Sequence, residues 1–200
     1  MAATADAAQT RSVSTDGALT WVAMDDSDSG YREAASWAEQ RYGFVPNLLC
    51  AVSLQPSFYQ RHRLALELLE APQSQSLSSR QHAMVRMLAS HLGRGGYSER
   101  TARALMSRVP DGDALADRLI HEPLDLDWEP VDRAVLALAT KFARHAYKVT
   151  EKDAIGLREV GLDDEAYVDI LNTVSIQTSL DRLWNVLGVQ PDSLPLLAFS

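Results

Sequence analysis

With 200 residues, 46% of them hydrophobic, the chain can bury a core without staples and has room for one domain or two small ones. Nineteen basic against 27 acidic side chains give a formal charge of −8, which argues against the basic face that a nucleic acid or an anionic membrane requires. The single cysteine, Cys50, excludes an internal disulfide and any CxxC redox or zinc site, and no apolar run approaches the ~20 residues of a membrane span.

Residues 1–18 are mostly Ala, Thr, Ser and Asp. They lack the apolar centre of a secretory signal and are too polar to order themselves, so they read as a mobile tail. Residues 19–200 read as one helical domain. With no export signal and no disulfide, the cytoplasm is the expected location.

The spacing predicts a helix over Tyr31–Tyr42 with Gly43 as its stop. A turn over Gly43–Asn47 leads into a short helix over Leu48–Ser53. Pro56 suits the first turn of a helix over Pro56–Glu70. After a polar break at Ala71–Ser76, Ser78 and Gln81 fit a capping box, which opens a helix to about Leu92. Its apolar stripe is Met84, Met87, Leu88 and His91, at i, i+3, i+4, i+7. The loop Gly93–Tyr97 ends it. Ser98 is expected to cap a helix over Glu99–Val109, stopped by Pro110. A short helix over Asp113–His121 precedes a linker at Pro123–Asp127, and Pro130 starts a long helix through Tyr147. Thr150 caps a helix to Val160 with Gly161 as a left-handed stop. Asp163 caps the last long helix, which runs to Leu187 before Gly188. No alternating run with hairpin turns is present. The predicted class is all-α, a single-domain helical bundle.

Several residues could carry chemistry. His82 and Arg86 sit four apart on one helix face. They form either a solvated face or a pocket pair, with the histidine as proton carrier and the arginine as anchor for a carboxylate or oxyanion. His91 falls on the apolar stripe, as a core histidine bonded to a carbonyl or as a neutral base facing a cavity. Tyr97 and Ser98 follow a glycine-rich loop at a helix start, where free N–H groups favour an oxyanion; alternatively Ser98 is an ordinary cap. The loop lacks the GxGxxG and GxxxxGK spacings. Arg182 and Trp184 are either a pocket wall or an ion pair beside a core tryptophan. Cys50 reads as an inert buried thiol. The five histidines show no HxxxH or HExxH spacing. The candidates are therefore His82, Tyr97, His91 and Ser98 as catalytic groups, and Arg86, Arg182 and Trp184 as substrate contacts, with no cofactor and no metal.

Four segments carry a resemblance. Gly43-Phe44-Val45-Pro46-Asn47 is similar to a G-x-x-P-N turn, and Leu77–Ser90 to a helix that precedes an active-site loop. Leu136–Ala143 with Leu157-Arg158-Glu159-Val160-Gly161-Leu162, and Arg182 to Gly188-Val189, are similar to two later motifs. In this order they resemble the alkylhydroperoxidase D-like superfamily, which includes the carboxymuconolactone decarboxylases, over about three-quarters of the chain. The resemblance implies a helical bundle that assembles as a homo-oligomer. It also implies a C-x-x-C at a helix start, with a His on the same helix and a Glu on the preceding one. Laid on this sequence, the two Cys positions fall on Gly95 and Ser98, the His on Ala102 and the Glu on Ala83; Tyr97 and Arg182 match. Without a thiol pair there is no dithiol–disulfide cycle, so thiol peroxidase activity is not expected.

Two readings follow. One is a cofactor-independent acid–base enzyme, such as a lyase, isomerase or cyclase, acting on a small organic acid or secondary-metabolite intermediate. The other is a non-catalytic oligomer that binds a small molecule or serves as a scaffold.

Overall fold

A computed structural model of the chain describes residues 29–52, 55–121 and 127–193. The expected tail and most of the expected linker lie outside the described residues, as does the side chain of Cys50. Every regular element among the described residues is helical. In chain order they are α1 (Ser29–Tyr42), α2 (Asn47–Val52), α3 (Pro56–Leu68), α4 (Ser79–Leu92), α5 (Gly96–Met106), α6 (Gly112–His121), α7 (Pro130–His145), α8 (Glu151–Glu159) and α9 (Asp164–Val186). None is long and apolar enough to cross a membrane.

Local chemistry sets most of the boundaries. The Ser78 hydroxyl accepts from the Gln81 amide at 3.2 Å, and the Gln81 side chain accepts from the Ser78 amide at 3.0 Å, so the capping box fixes the start of α4. Asp163 caps α9 by accepting from the Ala166 amide at 2.8 Å. Gly161 ends α8 at φ +89°, a conformation that costs a side-chain-bearing residue energy but glycine little.

Most boundaries fall within three residues of expectation, and two of the shifts change the local reading. α7 stops at His145, and Ala146–Lys148 tighten into a 3₁₀ turn. α5 begins at Gly96 rather than Glu99, with Gly95 as its cap residue. The Glu99 amide donates to the Gly95 carbonyl at 2.7 Å, so the glycine loop itself supplies the first helical acceptor. Ser98 therefore lies inside the first turn and is not the cap.

α4 is the central element and packs against α5, α6, α7 and α9. Every residue from His82 to Ser90 is buried. A helix buried on all sides must be mostly apolar, and here Met84, Val85, Met87 and Leu88 satisfy that. They join α5–α9 in the larger apolar cluster, with Leu136, Ile170 and Val174. A second cluster gathers Ala34, Ala38, Leu48, Tyr59 and Leu69 from the α1–α3 end with Tyr97, Leu180 and Trp184. α4 and α9 each carry one polar line. On α4 it is His82, Arg86 and Ser90; on α9 it is Asp169, Thr173, Gln177 and Asp181. Both repeat every four residues, which keeps them on one face of their helix.

Candidate functional site

The two polar lines meet in a buried seam. The Arg86 Nε donates to Gln177 Oε1 at 3.2 Å, and its Nη1 donates to the Leu69 carbonyl at 2.9 Å. The Gln177 Nε2 in turn donates to Asp181 Oδ1 at 2.9 Å. Ser98 donates its hydroxyl to the same carboxylate oxygen. A cation and a carboxyl group are thus joined through one amide, far from solvent. Arg86 is 4% exposed and Asp181 fully buried. Burial lowers the Arg86 guanidinium to about 10, which still leaves it charged at neutral pH. Burial pushes the Asp181 carboxyl up to about 7, against the hydrogen bonds from Ser98 and Gln177 and the nearby Arg86 charge.

At its loop end the seam is tightly filled. A Cβ placed on Gly93 would lie 2.7 Å from Asp181 Oδ2, and one on Gly95 would lie 2.5 Å from Asp181 Cγ. Glycine at both positions lets the loop close directly over the carboxylate. Asp181 Oδ2 is buried without a hydrogen-bond partner among the described residues.

The other end carries His82, 1% exposed. Its Nε2 meets the same Leu69 carbonyl, at 3.2 Å. A carbonyl can only accept, so Nε2 holds the proton and Nδ1 keeps the lone pair. Nδ1 is buried and has no partner among the described residues. Burial holds the ring below the usual histidine pKa, outweighing the Leu69 bond, so it is neutral at physiological pH. Beside it lies a cavity of about 180 Å³, lined by His82, Ala83, Glu70, Leu105 and Arg108 among others. The alternative of a solvated His82–Arg86 face is thereby overturned: α4 is enclosed on that side by α9 and by the chain following α3.

The other predicted residues separate. Tyr97 is buried and donates its hydroxyl to Asp192, with its ring edge-on to Trp184 at 5.0 Å. Asp192 Oδ1 also accepts from the Asn47 amide at 2.8 Å. Trp184 is a core residue of the second cluster. His91 is not in the core: it is half-buried, with Nδ1 3.5 Å from Glu99. The last turn of α4 has left the apolar interior by that point, so the stripe spacing no longer implies burial. Arg182 is exposed on the outer face of α9, away from the seam. The structure therefore brings together His82, Arg86 and Ser98, and adds Gln177 and Asp181, which the sequence reading missed. The four-residue repeat of polar side chains along α9 was the available signal.

The positions where the resemblance puts the family's reactive groups can now be placed. Gly95 and Ser98 adjoin the Asp181 carboxylate, Ala102 is buried in the larger cluster, and Ala83 lines the His82 cavity. No family model matches the sequence, and no curated protein does. Solved structures do match in fold. One described as an alkylhydroperoxidase AhpD core, an uncharacterized peroxidase-related protein from Ralstonia eutropha JMP134, superposes with a TM-score of 0.74 at 21% identity, covering 88% of this chain and 93% of that one. An uncharacterized peroxidase-related protein from Silicibacter sp. TM1040 gives 0.73 at 20%, covering 88% and 90%. A cysteine-to-alanine variant of the debrominase Bmp8, in complex with 2,3,4-tribromopyrrole, gives 0.64 at 16%, covering 90% and 95%. The chain has the all-α fold of these alkylhydroperoxidase-like proteins.

Proposed function

We propose that the protein is a cofactor-independent acid–base enzyme of the lyase, isomerase or cyclase type, acting in the cytoplasm on a small organic acid or secondary-metabolite intermediate. His82 takes the proton at Nδ1. The protonated His82 ring then returns the proton, and Arg86 stabilises the oxyanion that forms. The observation that carries this reading is the pairing of a buried, neutral, half-satisfied histidine with a buried arginine on one carbonyl, beside open space. Such groups contribute little net stability to a helical core, and perturbed titrations concentrate at functional sites. The cavity suits a compact molecule, since one of ~150 Å³ accepts benzene. That a fold neighbour binds a small brominated pyrrole supports a ligand pocket in this architecture.

One observation favours the second reading, a non-catalytic oligomeric binder or scaffold. The space under Gly95 is filled by the Asp181 carboxylate, so that end of the seam holds nothing but its own side chains. Exposed Tyr147 and Val168 supply apolar area for subunit contact in either case.

Native mass spectrometry of the purified protein, with denaturing analysis of whatever is released, tests both. An organic molecule held by the native chain and lost from His82→Gln supports the enzyme and names a chemical class to assay. In that assay His82→Ala is expected to lower turnover by about tenfold or more while circular dichroism stays unchanged. Unchanged turnover removes His82 from the mechanism. An empty oligomer sides with the scaffold, and a monomer contradicts the expected assembly.

A further inference from the structure

α9 turns its seam residues inward. Arg182 and Val186 project from its opposite face, about half a turn away. There they border a groove of about 690 Å³, to which the end of α7 adds Phe142 and Arg144 and the start of α3 adds Phe58 and Arg61. Small-molecule sites commonly span ~300–1,000 Å³. The groove is distinct from the His82 cavity, and none of the residues lining it belongs to the seam.

Its charge is unusual for this chain. Three guanidinium groups border it, and no carboxylate is among the described residues that line it. Carboxylates outnumber cations 27 to 19 in the sequence, and other arginines are paired: Arg41 with Glu70, Arg63 with Glu67, Arg80 with Asp132, Arg103 with Asp117 and Arg158 with Asp164. The side chains of Arg144 and Arg182 make no hydrogen bond or ion pair with any described residue. Arg61 lies 5.2 Å above the Phe58 ring, which leaves its N–H edge available. The floor between the three guanidinium groups is largely apolar, with Ser175, Thr178 and Ser179 along α9, and like charges bordering one groove repel. An oxyanion entering between them removes that repulsion, and the planar fork of a guanidinium matches a carboxylate with two parallel bonds.

We propose that this groove binds an amphipathic organic carboxylate. Arg144, Arg182 and Arg61 hold the carboxylate, and Phe58, Phe142 and Val186 receive the apolar body. The site does not depend on the acid–base reading of the seam, and stands or falls separately from it.

Isothermal titration of the full chain with 4-phenylbutyrate and with its uncharged amide tests this, with sedimentation velocity run on the same samples. The acid is expected to bind and the amide to bind at least about tenfold more weakly, with the acid's affinity falling as salt rises. Arg144→Gln and Arg182→Gln are each expected to weaken the acid by about tenfold or more, the double variant further. Arg182→Lys, which keeps the charge but not the fork, falls between. Arg103→Gln, whose partner is Asp117 outside the groove, leaves binding unchanged. All these side chains are at the surface, and unchanged circular dichroism confirms folding. Failure of the acid to bind, equal binding of acid and amide, or native affinity in Arg144→Gln and Arg182→Gln overturns the proposal. So does an oligomer that these two variants dissociate, because a second copy of the chain would then occupy the groove.

Discussion

The two ends of α4 use the same kind of residue in opposite ways. At its amino end His82 borders a cavity and keeps one nitrogen unpartnered. At its carboxyl end the glycine loop closes on Asp181, so that even one added methyl group would overlap the carboxylate. Arg86 stands between them and is bonded toward both, to Leu69 on one side and through Gln177 on the other. The lesson is that resemblance and room point to different places. The resemblance directs attention to the loop end, where reactive thiols would sit, while the open volume lies three turns of helix away, beside Ala83.

The comparison breaks most sharply if Arg86 is removed. Arg86→Ala leaves the Gln177 side-chain oxygen without its donor, the Leu69 carbonyl with only His82, and Asp181 without its nearest buried cation, and is expected to cost about 3–5 kcal/mol in urea unfolding. A cost below about 1 kcal/mol would mean that the two ends are not joined through this side chain. Gly95→Ala probes the closed end alone. The overlap with Asp181 is expected to destabilise by about 1–3 kcal/mol, and the cost should shrink in an Asp181→Ala background, where the obstacle is gone. An equal cost in both backgrounds would locate the strain in the backbone instead.

The two ends also differ in their pH dependence. Asp181 has its folded-state pKa raised from 3.8 to about 7, so the folded chain binds more protons than the unfolded one across that interval. Its contribution to stability is fully present below about 4 and is lost as pH rises through 7. His82 acts in the opposite sense: its folded pKa is lowered from 6.5, so its contribution is present above that value and declines as pH falls. The difference between the native chain and Asp181→Asn isolates the first. The stability of Asp181→Asn relative to the native chain is expected to rise steadily from pH 4 to pH 8, by an amount on the order of 4 kcal/mol if the whole shift is realised. A difference that stays flat from pH 4 to 8 would show that the carboxyl is not held protonated in the fold.

What the sequence made legible was local. Ser78 with Gln81, Asp163 before α9 and Gly161 after α8 each act within four residues of themselves, and the structure places them as read. His82 and Arg86 were legible as neighbours but not as buried, because a helix that is apolar on nearly every side gives no sign of which polar side chains are enclosed with it. His91 failed in the opposite direction: its spacing matched the stripe, but α4 emerges from the core at its last turn. Ser98 reads as a cap because it follows a glycine-rich loop at a helix start; the acceptor of its hydroxyl, Asp181, is 83 residues away. Gln177 and Asp181 stayed hidden for the same reason, since polar residues on a long helix ordinarily face water.

Asp192 has a consequence for how the molecule comes apart. One carboxylate receives the first amide of α2 and the hydroxyl of Tyr97 at the start of α5, while Asn47 and Arg100 reach the neighbouring carbonyls of Gln190 and Ser193. Three stretches distant in sequence are thereby fastened at a single clasp. They are expected to loosen as one cooperative unit in hydrogen exchange, so that fraying of the segment around residue 192 unlocks the α2 and α5 starts together rather than peeling away alone.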